Sequence, residues 1–386
     1  MNFVKNVSIA VASAGFMVLA ATAEAKAISL KYDSQIGEPG FGPGQLFVPQ
    51  GVVKSNADGN IYVSNGRGIN PEDGSFVPVV GNSVSVFSPD GTYLKAIGFG
   101  AQGKGAGIDE PGDLKFDSIT GNLYVADVFN SEIDVYNPES GEFVTSFGSF
   151  SGQGPGDLFF GPGGIDFDKQ GNLHVTDFSA DVVKVYGRDG ALVKTYGGLG
   201  TEPGQFNGPA GLAISENTGN IYINDQFNNR IQVLDSENNP LFAFGTEGTA
   251  PGQFNEPIGI DLDEFENIYV ADSQNNRVQV FDKNGKFLTA FGEPVENAGP
   301  PGPGEPPIAT NPADLAPGKF NWTGGLNYNS GKVYVGDFFT GRVQVLDVDR
   351  HDGAKKVPEP ATLLGLSVFA LGAAATKLRK NKQQSA

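Results

Sequence analysis

An all-β fold, a six-bladed β-propeller of four-stranded antiparallel blades, is predicted by three observations on this 386-residue chain. Asn267-Ile-Tyr-Val-Ala-Asp272 with Asn276-Arg-Val-Gln-Val-Phe281 repeats Asn220-Ile-Tyr-Ile-Asn-Asp225 with Asn229-Arg-Ile-Gln-Val-Leu234, which marks an internal repeat. Aligned on the aromatic position, the copies fall at Tyr62, Tyr124, His174, Tyr222, Tyr269 and Tyr334, separated by 62, 50, 48, 47 and 65 residues. The two ends of the chain also complement each other: the sixth copy, 323–349, lacks a fourth strand that residues from Ile28 onward can supply.

The fifth copy shows the order of elements. Pro257-Ile-Gly-Ile-Asp-Leu-Asp263 opens it, Asn267 to Ala271 follows a short turn, Arg277 to Asp282 comes next, and Phe287 to Phe291 closes it before Gly292. Each run is short, rich in Val, Ile, Tyr and Phe, and bounded by Gly, Asn, Asp or Pro, so each reads as a strand joined by hairpin turns. Four such strands make one blade. At the N-terminus, Ile28 to Gly37 and then Gly42-Pro-Gly-Gln-Leu-Phe47 match Ala243-Phe-Gly245 and Pro251-Gly-Gln-Phe254, the closing strand and connector of a complete copy. The N-terminal strand is therefore expected to complete the last blade, which joins the ends and removes an open sheet edge.

Composition agrees. The chain is 39% hydrophobic with 29 Phe to fill the spaces between blades, while 55 Gly and 25 Pro supply turns. No helical periodicity runs between Ile28 and Asp349. With no cysteine, disulfides and thiolate metal sites are excluded.

Both termini read as addresses. Residues 1–27 carry Lys5, an apolar run from Val7 to Thr22, and then small residues that suit cleavage after Ala25 or Ala27, the pattern of an export signal peptide. The propeller is expected over 28–350 and a linker over 351–356. In 357–386, Val357-Pro-Glu-Pro360 precedes the uncharged run from Ala361 to Thr376 and the basic cluster from Lys377 to Lys382. That run falls short of the roughly 20 residues of a comfortable span, and the basic cluster would hold its end in the cytoplasm. This order resembles the PEP-CTERM sorting signal, with its Pro-Glu-Pro on Pro358, Glu359 and Pro360. The resemblance implies recognition by an exosortase-type sorting enzyme, membrane attachment through the tail at least in passing, and a periplasmic, cell-surface or extracellular propeller. Outside 1–27 and 355–386, 18 Lys and Arg face 42 Asp and Glu, a balance of −24. Such a surface repels nucleic acid and anionic polysaccharide, so no nucleic-acid partner is expected.

The copies resemble NHL repeats, in the pattern Pro-x-Gly-Ile, Asn-Ile-Tyr-Val-x-Asp, Asn-x-Arg-Ile-Gln-Val-Phe and Phe-Gly-x-x-Gly. The fourth and fifth match best; in the first three, Asn65 replaces the Asp, His174 the Tyr, and no Arg follows Asn130. The resemblance implies a fold used by binding domains and enzymes alike, and leaves function open. Two insertions break the spacing, at Gly66–Gly81 and at the Pro-rich 293–319.

Chemistry-bearing candidates are few. Asp225 with Arg230, Asp272 with Arg277 and Asp337 with Arg342 recur at hairpins, where a charge-assisted hydrogen bond is natural; recurrence marks them as structural, since a catalytic site need occur only once. NHL-like amidating lyases hold zinc with several histidines, whereas this chain has only His174 and His351, too few for three or four ligands. No Gly-x-Ser-x-Gly elbow supports serine chemistry. Calcium is the one cofactor left open: Asp113, Asp166 and Asp261, with Asn327 in the last copy, are read as related inner-strand positions that could line a central channel with oxygens, as in some lactonase propellers. The leading expectation is a monomeric, exported, non-enzymatic scaffold that binds a protein or extracellular polymer. The alternative is a calcium-dependent hydrolase or lactonase of the channel type.

Overall fold

The computed structural model describes residues 27–66, 68–69, 76–77, 82–98, 107–152, 161–299 and 311–351. Six four-stranded antiparallel sheets form a closed ring. From the channel outward, blade 1 is Pro49–Lys54, Ile61–Asn65, Ser83–Phe87 and Tyr93–Ile97. The inner strands of blades 2 to 6 are Pro111–Phe116, Pro162–Phe167, Pro209–Ile214, Pro257–Leu262 and Thr323–Asn329. Each packs beside the next, and that of blade 6 lies beside that of blade 1. Blade 6 takes its outermost strand, Ala27–Ile36, from the N-terminus, next to Arg342–His351. Both ends of the propeller segment thus enter one sheet, as the unfinished sixth copy predicts. Ile28 and Leu30 are buried among Val333, Val335 and Leu346 of blade 6 and Val278 and Val280 of blade 5. Full burial of one such side chain is worth about 1.5–3 kcal/mol, which holds the closing strand in place.

The inner strands approach so closely that one position in most blades excludes a side chain. A Cβ on Gly211 would lie 2.1 Å from the Ile258 carbonyl oxygen, and one on Gly259 would lie 2.6 Å from that of Gly324. Blade 2 carries Asp113 at this register position.

Antiparallel order sends the turns between strands 1 and 2, and between strands 3 and 4, to one face of the ring. These are short: in the fifth blade Asp263 Oδ1 accepts from the Phe265 and Asn267 amides, and in the third Asp168 Oδ1 accepts from those of Gln170 and Asn172, while the turns that start at Ser55, Asp117 and Ser215 are one residue longer. The 2–3 loops and the blade-to-blade connectors gather on the other face, where the channel mouth opens. Both insertions leave the ring there, one between Asn65 and Ser83 and one between Phe291 and Thr323. Residues 67, 70–75, 78–81 and 300–310 of these insertions lie outside the described residues, as do the expected signal peptide with Ala25 and the Pro358, Glu359 and Pro360 motif. The backbone of Ala27 begins the closing strand. Among the described residues no helix is long and apolar enough to cross a membrane.

Candidate functional site

The conspicuous Asn-Asn-Arg motif is used up by the architecture. In blade 4 the Asp225 carboxylate ends the second strand, and its Oδ1 accepts from the Asn207 amide that leads into the blade. Asn228 donates to Asp225, and Arg230 reaches its Oδ2 at 2.7 Å while holding the connector carbonyls of Thr201 and Gln205. Asn229, in the left-handed region at φ 51°, turns its Oδ1 to the Glu256 amide of blade 5. Blade 5 repeats the arrangement with Asp272, Asn275, Arg277 and Asn276, the last accepting from the Trp322 amide of blade 6. In blade 6 Arg342 is fully buried on Asp337. In blades 4 and 5 the motif therefore ties a hairpin to its own connector and to the next blade.

Blades 1 to 3 solve the same problem with other residues. Asn65 stands for the Asp and accepts from the Phe47 amide. In blade 3 Val182 stands at the Arg position, and Lys184, at the position of Gln232, lies 2.8 Å from Asp177. Blade 2 puts Glu132 and Asp134 where Arg and Gln stand elsewhere. Burial, reinforced by the neighbouring Asp134 charge, pushes Asp127 up to about 8, and burial pushes Asp134 up to about 7. Asp134 Oδ2 accepts from the Tyr136 hydroxyl, while its Oδ1 is buried without a hydrogen-bond partner.

The channel candidates do not form one ring. Cross-strand register pairs Asp166 with His174, Asp261 with Tyr269 and Asn327 with Tyr334, so these three are equivalent. In blade 2 the residue opposite Tyr124 is Lys115. Asp113 sits two residues earlier, and the expected equivalence of Asp113 with Asp166 and Asp261 is corrected: cross-strand pairing puts it at the place that Gly164 and Gly259 hold in blades 3 and 5.

Each of these carboxylates is already engaged. Asp113 Oδ2 accepts from the Ile165 amide of the next blade at 3.0 Å, Asp166 Oδ2 from Ile214 at 2.8 Å and Asp261 Oδ2 from Tyr328 at 2.8 Å. Their Oδ1 atoms accept from the amide that follows each in sequence. Asn327 donates to Asp261 and accepts from the Lys54 amide of blade 1. The set stitches inner strand to inner strand. Lys115 Nζ lies 2.9 Å from Asp166 Oδ1. Burial opposes its charge, but Asp166, Asp261 and Asp113 outweigh it and hold the ammonium above its usual range. Burial raises Asp261 and pushes Asp113 up to about 6. Calcium takes six to eight oxygens, and oxygens committed to backbone amides beside a lysine ammonium do not fit it. Among the described residues no cluster of three or more His, Asp or Glu is disposed to hold a metal.

His174, where the repeat departs from Tyr, is buried. Its Nε2 lies 3.4 Å from Asp168, and its Nδ1 lies 3.1 Å from the Tyr196 hydroxyl. It keeps the link that Tyr269 makes to Asp263 in blade 5. The backbone of His351 ends the third strand of blade 6.

What remains uncommitted is the channel mouth on the loop face. Trp322, the chain's one tryptophan, stands just before the inner strand of blade 6 with φ 61°, a conformation that costs a bulky residue about 1–3 kcal/mol. Gly161 and Gly208 hold the corresponding place in blades 3 and 4, and Glu110 and Glu256, at φ 55° and 51°, hold it in blades 2 and 5. Around Trp322 pack Phe339 at 5.1 Å and Phe338 at 6.5 Å, ring to ring. A second group on the same face joins Phe178 to the half-exposed Phe227 at 5.5 Å. The sequence reading missed Lys115, Trp322 and these loop phenylalanines. Aligning inner strands by their Tyr partners would have found Lys115.

Residues 254–281 match the family described as the NHL repeat. Comparison with curated proteins yields no match. Among solved structures the chain is similar to selenomethionine-substituted virginiamycin B lyase from Staphylococcus aureus, at TM-score 0.51 and 13% identity over 83% of this chain and 99% of that one. It is similar to a gluconolactonase from Xanthomonas campestris, at TM-score 0.53 and 12% identity over 83% and 99%. A Bacteroides thetaiotaomicron protein of unknown function gives TM-score 0.57 and 16% identity over 84% and 77%. At such identities the likeness establishes the propeller and nothing of its chemistry.

Proposed function

We propose that this chain is an exported NHL-type propeller that binds a protein or extracellular polymer through its loop face, while the C-terminal tail is handled by an exosortase-type enzyme. The observation that carries the binding reading is Trp322. A large aromatic side chain stands on the loop face beside Phe338 and Phe339, at a left-handed position that blades 2 to 5 fill with Glu110, Gly161, Gly208 and Glu256. The left-handed backbone recurs from blade to blade, so what sets Trp322 apart is its aromatic side chain, of the type enriched at binding surfaces. Both insertions also leave the ring on this face, while the opposite one carries short turns. The carboxylates of the channel are bound to backbone amides, which supports a scaffold over the calcium-dependent hydrolase. Export and sorting rest on the signal-like 1–27 segment and the Pro358-Glu-Pro360 tail.

The binding test uses the sole tryptophan. Titrating the protein with solubilised extracellular matrix should shift Trp322 emission saturably, and Phe227→Ala with Phe339→Ala should weaken the response about tenfold without lowering Tm. Leu241→Ala, on an outer strand, should leave it unchanged. Equal responses from all variants would overturn the reading. Fractionation of cells carrying Glu359→Ala tests sorting, with retention in the inner membrane expected.

A further inference from the structure

Two kinds of side chain stand around the channel mouth on the loop face, and they alternate around the ring. The residue that follows the end of each second strand lies against the residue that enters the next blade. A Cβ on Gly66 would lie 2.6 Å from Glu110 Oε1, one on Gly208 would lie 3.0 Å from Phe178 Cζ, and Gln226 donates to Glu256. Glu110 and Glu256 belong to blades 2 and 5, which face each other in a ring of six. Between them on one side stand Phe178 and the half-exposed Phe227 of blades 3 and 4, and on the other Trp322, Phe338 and Phe339 of blade 6. Glycine serves the backbone at the glutamate position in blades 3 and 4, so the turn itself demands no carboxylate there. Each glutamate is half-buried and braced by an amide of the preceding blade: Gln50 Nε2 donates to Glu110 Oε1 at 2.8 Å, and Gln226 Nε2 to Glu256 Oε2 at 3.4 Å. A neutral amide positions a carboxylate without cancelling its charge.

Resting on the reading of this face as the binding surface, we propose that its partner is a basic polypeptide segment, whose Lys or Arg stems lie on the aromatic groups while their cations reach Glu110 and Glu256. Three features support the assignment. Lys and Arg alone join an apolar stem to a permanent cation, and ring faces attract cations within about 6 Å of their centres. Outside 1–27 and 355–386 the chain sets 18 Lys and Arg against 42 Asp and Glu, a field that draws a cationic segment in and repels an anionic one. The two carboxylates stand three blades apart, so one extended segment with several cations can engage both, whereas a single free amine engages one.

Titrating the full chain with hexalysine, hexaglutamate and the neutral sugar maltohexaose, read by Trp322 emission, tests this. Hexalysine should bind wild type saturably and more weakly as salt rises, and hexaglutamate should give no response. Glu110→Gln with Glu256→Gln keeps the acceptor oxygens and removes the charge; it should weaken hexalysine binding about tenfold at unchanged Tm. Glu139→Gln with Glu237→Gln removes the same charge from exposed turns on the opposite face and should leave binding unchanged. Should the first double variant lose stability, each single variant must weaken binding about threefold. Equal loss in both double variants overturns the proposal, because bulk charge would then explain the binding, as does a tighter response to maltohexaose than to hexalysine. If extracellular matrix shifts Trp322 emission and hexalysine does not, the basic partner falls while the binding face stands; if neither shifts it, both fall.

Discussion

Arg277 Nε lies 2.7 Å from Asp272 Oδ2, and the same oxygen takes Gln279 Nε2 at 2.9 Å. Asp272 is fully buried, and burial raises its proton affinity even though Asn255, Asn275 and Arg277 act against that rise. Through Arg277 this carboxylate also fixes the carbonyls of Thr249, Ala250 and Gln253 in the connector. One acid thus organises a hairpin, a strand and the entry to its blade.

Removing the cation while leaving the acid should be severe. Arg277→Met strands a buried carboxylate, and urea unfolding should show a loss of about 3–5 kcal/mol. Adding Asp272→Asn to Arg277→Met should return part of it, because the amide carries no charge to leave unpaired. A double variant less stable than the single one would contradict this account.

Blade 2 should make stability sensitive to alkaline conditions. Asp127 and Asp134, raised by burial to about 8 and about 7, bind protons in the folded state that the unfolded chain has released above about 4. The folded state holds more protons across that window, so their contribution is complete below it and declines as pH rises through both values. Asp134→Asn places a donor beside Asp127, much as Gln232 donates to Asp225 in blade 4. Its Tm should exceed that of wild type at pH 8, with the gap closing by pH 5. A gap independent of pH would show that the pair does not share the proton.

His174 should be exchangeable for the residue that the other blades use. Burial opposes the charge of Asp168, yet hydrogen bonds from His174 and Asn172 hold its carboxyl down at about 2. This depressed carboxyl contributes stability above its usual range near 4, which is lost as pH falls toward 2. His174→Tyr with Tyr196→Phe recreates the pairing of Tyr269 with Asp263, and should melt within a few degrees of wild type at neutral pH. Acid titration should find Asp168 closer to its ordinary value in that variant. An unchanged acid midpoint would remove His174 as the cause.

Architecture was legible because it is periodic. The Tyr position, the Asp before each 2–3 turn and the Arg after it recur, and repetition exposes structural residues in a single chain without any relatives. The Asp–Arg clasps lie within five residues of each other, so local spacing sufficed to find them. Channel contacts were not legible in that way. Asp113 and Asp166 both stand on inner strands, but Asp113 lies two residues after Pro111 and Asp166 four after Pro162, and strand pairing shows that they are not equivalent. Lys115, a charged residue on a strand, carries no signal of its own until Asp166 and Asp261 are placed around it.

By itself, the sequence determined the number of blades, the strand order within each and the closure by the N-terminal strand, since these follow from periodicity and hydrogen-bonding demand along the chain. Tertiary structure alone decided which side chains meet across blades: Lys115 with Asp166, Asn276 with Trp322, and both insertions on one face. The physical reason is that a ring brings together residues remote in the chain, and their encounter depends on register and curvature, which no local pattern encodes.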